Sequence, residues 1–175
     1  CLCSTGHCRA FSLLALHRLK EIMKKLTALT TFLLQAANLT KEQVLSVADR
    51  GETIPTGRDL GHGVELGVFK YDALIQVEAF NGRSSELLLL VMSWLHDHDK
   101  DRDHVGLADP EVDASLNDDF TADVDLAIEF EEPLQMVPDE QGPILFNGKK
   151  WRVADVPIDV AEELAGMDGN AHGEQ

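Results

Sequence analysis

The chain has 175 residues and carries 15 basic against 31 acidic residues, a formal net charge of −16. This length suffices for one domain with a hydrophobic core, and so strong a negative charge disfavours binding to nucleic acid or to anionic membranes. The sequence contains no run of about 18 apolar residues that would span a bilayer. We therefore expect no membrane binding and no specific nucleic-acid binding.

Residues 1–22 differ from the rest of the chain, because they carry three basic residues and one acidic residue. Lys20-Glu21 can be encoded by a bacterial ribosome-binding sequence just upstream of Met23. We predict that residues 1–22 are a translated leader, or else a disordered or helical extension. Two alternatives stay open: Cys1 is a lipidated first residue, or residues 10–37, which contain no Pro or Gly, form one long helix.

The three cysteines all lie in this first segment, at Cys1, Cys3 and Cys8. A disulfide framework would spread cysteines through the fold, so we expect no stapled core. With His7 as a fourth ligand they could bind zinc, but the spacing departs from the paired Cys-x2–4-Cys of tetrahedral sites. The sequence therefore predicts no metal site in this segment.

The first half of the domain predicts a helix, strands and a second helix. From Met23, apolar residues recur every three or four positions until Asn38, which is typical of an amphipathic helix. A short strand is expected at 43–48, a Gly- and Pro-rich loop or wide hairpin connection at 50–63, and strand structure at 64–80.

A second helix is predicted after Asn81-Gly82, with Ser84 as its cap and Glu86 in its first turn. Its broad apolar face ends at Trp94 and Leu95, and we interpret Trp94 as a core residue. Residues 96–119 are rich in acids and predict a solvated loop.

The strongest β signal is the alternation from Phe120 to Phe130, in which every second residue is apolar. This pattern predicts a long strand with one buried and one acidic face. Glu132-Pro133 is expected to turn the chain before a short strand at 134–137. Residues 144–153 predict a hairpin around Asn147-Gly148, which suits a type I′ turn.

The C-terminal end predicts a short helix at 159–165, stopped by Gly166, and a disordered tail at 166–175. The fold class is therefore α+β, with a mainly antiparallel sheet and two packed helices. We predict a single domain at 23–165.

The acidic loop offers the one candidate metal site outside the N-terminus, through His96, His98 and His104 with the intervening aspartates. An EF-hand loop starting at Asp97 would have acids at positions 1, 3 and 5 but lacks the glycine and the final glutamate. No Gly-x-Ser-x-Gly and no P-loop occurs in the sequence. We expect no catalytic residues, no metal and no cofactor.

The order of these features resembles the tail completion protein R family of Peduovirus-like contractile-tailed phages. The resemblance rests on an amphipathic helix before the strands, the helix end Met92-Ser93-Trp94-Leu95, the strand centre Asp123-Val124-Asp125-Leu126, and an Asn147-Gly148 hairpin leading to Val156-Pro157. It covers roughly residues 23–163 and leaves residues 1–22 without a counterpart. It implies a structural protein with a tail-terminator-like fold.

The resemblance implies that the protein completes the tail at its head-proximal end in the virion, after assembly in the host cytoplasm. Its expected partners are copies of itself in a hexameric ring, the tail tube and sheath proteins, and the head connector or completion protein. As a candidate assembly surface we predict Asp123, Asp125, Glu129, Glu131 and Trp151. The acidic face would line the ring's lumen or face solvent, and we favour solvent.

Two other functions remain open from the sequence. The first is a small metal-dependent enzyme that uses the loop from His96 to His104. The second is an acidic regulatory protein that mimics the charge of DNA.

Overall fold

The computed structural model describes residues 22–117 and 120–157. Two helices and six strands follow one another: α1 (Lys24–Ala36), β1 (Val44–Asp59), β2 (Val64–Phe80), α2 (Ser84–His98), β3 (Glu111–Leu116), β4 (Ala122–Pro138), β5 (Ile144–Phe146) and β6 (Lys149–Val153). The helix expected at 159–165, the tail at 166–175 and, apart from Ile22, the N-terminal segment lie outside the described residues. No helix in the described ranges is long and apolar enough to cross a membrane.

The six strands form one antiparallel sheet in the order β1-β2-β4-β6-β5. One edge of β4 pairs with β2 along almost its whole length. The other edge pairs with β3 at its start and with β6 at its end. Two helices and an antiparallel sheet confirm the predicted α+β class.

One face of the sheet is covered by the two helices, and the core lies between them. The alternating apolar residues of β2 and β4 point to this face, as the sequence predicted, and meet the apolar stripes of the helices. Its fully buried members include Leu29, Leu33, Tyr71, Ile75, Val77, Leu87, Val124, Leu126, Ile128 and Phe130. The ring of Trp94 packs edge-on against Phe130, with centroids 6.2 Å apart, so Trp94 is a core residue.

The N-terminus of α1 is held by a carboxylate from β4. Met23 occupies the N-cap position but makes no side-chain capping bond. Instead the buried Glu132 accepts hydrogen bonds from the backbone N–H groups of Lys24 at 2.8 Å and Lys25 at 3.0 Å. A negative charge here also complements the positive end of the helix dipole.

Glu132 receives a third hydrogen bond, from the hydroxyl of Tyr71 on β2 at 2.6 Å. Burial and this bond raise the pKa of the Tyr71 hydroxyl, so the group remains a donor. A second buried carboxylate, Asp99, follows α2 and pairs with Lys25 and Arg102. These contacts tie the start of α1 to both central strands and to the end of α2.

The region predicted as a loop at 50–63 is instead mostly strand. β1 continues to Asp59, and two register shifts against β2 accommodate the residues that looked like loop signals. Arg50 has a φ of 46°, and a Cβ on the adjacent Gly51 would collide with the ring of Phe69. Glycine and proline are tolerated at bulges and in edge strands, which explains the wrong prediction.

The region predicted as a loop at 96–119 contains the end of α2, several turns and the strand β3. The predicted turn at Glu132-Pro133 is also wrong, because β4 runs through it to Pro138. Pro133 pairs with Val68 of β2 on one side. On its other side no strand among the described residues pairs with it, because β3 ends its pairing at Ala127 and β6 begins at Met136. A missing N–H is tolerated at such an edge.

Three smaller expectations concern element ends. Asn38 ends the first helix as predicted, with a φ of 52°. The alternative of one continuous helix over 10–37 is wrong, because the backbone of Met23 is not helical. Ser84 is the first helical residue of α2 rather than its cap, which is Arg83. Phe120 is 97% exposed because its φ of 65° interrupts the alternation before β4 begins.

We predict that Glu132→Ala lowers the free energy of unfolding by about 2–4 kcal/mol, because it leaves two helix N–H groups and a buried hydroxyl without their acceptor. Glu132→Gln keeps one acceptor oxygen and should cost less. The neighbouring Glu131→Ala, on the other face of β4, should change stability by about 0.5 kcal/mol or less. Urea denaturation followed by circular dichroism measures all three, and equal losses at 131 and 132 would contradict the role of Glu132.

Candidate assembly surface

The four acids predicted as an assembly surface lie together on the face of β4 opposite the helices. Asp123, Asp125, Glu129 and Glu131 alternate with the buried residues of this strand. Across the sheet, Asp125 faces Gln76 on β2 and Asp113 on β3. The predicted acidic strip therefore exists, but its members have different surroundings.

Asp123 is engaged in local structure. Its Oδ1 accepts hydrogen bonds from the backbone N–H of Ala79 at 2.8 Å and from the amide of Asn117 at 3.0 Å. These bonds join the irregular end of β2 to Asn117, the residue that follows β3. Asp125, by contrast, is exposed, so it is the member of the strip most open to a partner or to solvent.

Glu129 forms an ion pair with Lys70 of β2, with 2.9 Å between the charged atoms. Its other oxygen accepts the backbone N–H of Ala108 at 2.8 Å. The bond to Lys70 and then the one from Ala108 lower the pKa of the Glu129 carboxyl, and the same ion pair raises the pKa of Lys70. Part of the acidic strip is thus neutralised within the sheet.

Trp151 lies apart from the four acids, on β6, where it pairs with Pro138 at the end of β4. Only 8% of this residue is exposed, and its indole N–H donates to the carbonyl of Phe146 at 3.0 Å. Its ring also packs edge-on against the ring of Phe146. The structure gives Trp151 a packing role in its own hairpin, and its part in a subunit contact stays a prediction.

The residues of the candidate metal loop do not converge. Asp99 turns inward to Lys25 and Arg102, while the His98 ring stacks on Trp94 at a centroid distance of 4.8 Å. The His96 side chain is largely exposed. Within the described ranges, no group of three His, Cys, Asp or Glu side chains is placed to hold a metal ion.

The sheet offers two strand edges that sequence reasoning missed. β1 pairs only with β2, and β3 pairs only with β4, so each has an outer edge without a strand among the described residues. On β3, Val112, Ala114 and Leu116 pair with buried residues of β4 and so share the helix-bearing face, yet all three are exposed. Their alternation with Glu111, Asp113 and Ser115 indicates a strand, but the many acidic residues around it favoured the prediction of a loop.

An open groove runs between α1 and the edge strand β1. Its volume is about 790 Å³, and its lining includes Leu34, Leu39, Lys41 and Val44. The three apolar residues are only half-buried. An extended strand that pairs with β1 on this side would place every second side chain in the groove.

Comparison with known proteins decides the family. The family described as P2 phage tail completion protein R (GpR) matches residues 23–155. The chain belongs to this family.

A protein of Haemophilus phage HP1 (strain HP1c1), described as an uncharacterized 19.2 kDa protein in the rep-hol intergenic region, is 29% identical over 118 residues. The match covers 65% of this chain and 71% of that protein. No solved structure matches.

Family membership confirms the resemblance seen in the sequence. It makes the protein a phage tail completion protein, which belongs to the virion tail and works in contact with other tail components. The family is one of structural tail proteins rather than a known enzyme family. The exposed strand edges and the acidic strip are therefore candidate assembly surfaces of a tail protein.

The ion pair between Lys70 and Glu129 predicts a pH dependence. Because folding lowers the pKa of Glu129, its stabilisation is present above the ordinary value of 4.5 and is lost as the pH falls through the folded-state pKa. Glu129→Gln should therefore cost up to about 1 kcal/mol at pH 7, and this difference should vanish in acid. Urea denaturation at several pH values measures it, with Glu140→Gln as the exposed control. A difference that persists in acid would contradict the prediction.

Proposed function

We propose that this protein completes the tail at its head-proximal end, where it stops growth of the tube and sheath and allows the head to join. It acts as a tail-terminator-like hexameric ring, assembled in the host cytoplasm. Its partners are copies of itself, the tail tube and sheath proteins, and the head connector or completion protein. The observation that carries this proposal is the match of residues 23–155 to the tail completion family.

The sheet supports a ring for a physical reason. A ring forms when one patch binds a different patch on the next copy and the rotation closes. Besides the outer edge of the three-residue strand β5, the described part of the chain has two unlike strand edges, β1 and β3, on opposite borders of the four strands β1, β2, β4 and β3. Unprotected edges favour pairing with another strand, so two such edges suit a protein that works by assembly.

The position of the acidic strip in the ring has two alternatives under this proposal. Either the strip lines the lumen, where negative charge would let DNA pass without binding, or it faces solvent, which we favour. Asp125→Asn with Asp123→Asn distinguishes them, since asparagine keeps an acceptor oxygen for the bonds that Asp123 makes. Normal tail assembly and DNA passage in this double variant would contradict a lumen role.

Deleting the gene from the phage tests the proposal directly. We expect tails of uncontrolled length that do not join to filled heads in electron micrographs, and rescue by a plasmid copy of the gene. The assembled form should keep its size when a chelator is added, because assembly depends on protein contacts. Tails of normal length joined to filled heads in the deletion phage would contradict the proposal.

A second measurement separates assembly from metal-dependent catalysis. Under the proposal, His98→Ala leaves assembly unchanged, although it removes the imidazole that stacks on Trp94. Metal-dependent turnover that His98→Ala abolishes would instead support the enzyme alternative.

A further inference from the structure

We infer that neighbouring copies join by adding strand β3 of one protomer to the free edge of β1 of the next, with the apolar side chains of β3 in the groove between α1 and β1. This inference rests on the ring of the proposed function and names the surfaces that build it. Four features of the described residues lead to it: strand direction, side-chain parity, apolar exposure and charge.

Strand direction fits such a contact. The four strands β1, β2, β4 and β3 are neighbours in this order, and each pair is antiparallel. With an even number of alternating strands, β1 and β3 run in opposite directions. A second copy placed beside the first in the same orientation therefore brings β3 antiparallel to β1, which continues the pattern of the sheet.

Side-chain parity fits as well. On β1, Val44, Ser46 and Ala48 face the helices, because they pair with buried residues of β2, and Ser46 bonds the hydroxyl of Thr30 on α1. On β3, Val112 and Leu116 face the same side. When the two copies share one helix-bearing face, these apolar side chains point toward α1 of the neighbour.

Apolar exposure supplies the driving force. Leu116 is 90% exposed and Val112 is 42% exposed within their own protomer, since its helices do not cover β3. The neighbour's groove of about 790 Å³ presents the half-buried Leu34, Leu39 and Val44. Covering both sets removes apolar surface from water on each partner.

Charge complements the shape. Lys24 and Lys25 already pair with Asp155 and Asp99 of the same protomer, but the groove lining itself contains Lys41 and no acidic residue. Residues 105–117 contain Asp109, Glu111 and Asp113 and no basic residue. In a chain with a net charge of −16, copies repel one another in most orientations, so an acidic strand that meets a groove without acids and with Lys41 in its lining favours this one.

Disulfide trapping in the virion tests the contact. In a phage whose protein has Cys1, Cys3 and Cys8 replaced by Ser, Asp113→Cys on the outer face of β3 is combined in turn with Leu45→Cys, Val47→Cys and Asp49→Cys on the outer face of β1. Within one protomer these positions are three strand spacings apart, roughly 14 Å, which exceeds the reach of a disulfide. A disulfide between them therefore forms only between copies.

We expect at least one of the three pairs to give a ladder of covalent multimers on oxidation of purified virions. Asp113→Cys with Leu145→Cys, at an exposed site on β5, is the matched control and should stay uncross-linked. Virions that contain the protein but show no multimers with any of the three pairs would overturn the inference. The proposed function would survive that result, because it fails only if the deletion phage makes normal joined tails.

Charge substitutions provide an independent test. Leu116→Lys and Val112→Lys place a cation in a groove with apolar lining residues and Lys41, and since both residues are exposed the fold should be retained. We expect the yield of trapped multimers to fall at least tenfold, while the exposed Leu145→Lys has no effect. An unchanged yield of multimers would mean that β3 does not occupy the groove, and would overturn the inference.

Discussion

The buried carboxylate of Glu132 is the contact on which the rest of the structure depends. It accepts two N–H groups from the first turn of α1 and the hydroxyl of Tyr71, and so links a helix, β2 and β4 at one point. Burying a charge is costly unless hydrogen bonds compensate it, and in the described residues no buried side-chain N or O lacks a partner. The position of α1 follows from this contact, and α1 in turn closes the core and forms one wall of the groove beside β1.

The sheet is stabilised on one face and left open at its borders. Leucines of both helices seal the centre of β2 and β4, whereas β3 and the outer edge of β1 have no such cover among the described residues. A monomer with exposed Val112 and Leu116 on an edge strand resembles an aggregation-prone protein. In a tail protein the same feature suits a contact that forms only when the correct neighbour arrives. The net charge of −16 limits association in other orientations.

Much of the fold was predictable because its signals are local. The alternation along β4, the apolar stripe of α1 and the Asn147-Gly148 turn each depend on a few neighbouring residues, and the structure confirms them. The errors arose where pairing decided the outcome. Gly51 and Pro55 are loop signals in isolation but lie within β1, where Gly51 sits at a register shift and Pro55 pairs with Gly67 of β2. Pro133 stays in a strand because it pairs with β2 on one side, and no strand among the described residues pairs with its other side.

The sequence by itself determined the family, the α+β class and the acidic face of the long strand, since these depend on residue order and period-2 or period-3.6 patterns. Only the tertiary structure decided that Glu132 caps a helix whose first residue, Lys24, lies 108 positions earlier in the chain. It likewise decided that β3 and β1 are opposite free edges and that Trp151 packs within its hairpin. Such relations depend on strand order and burial in three dimensions, because neither has a fixed spacing along the chain.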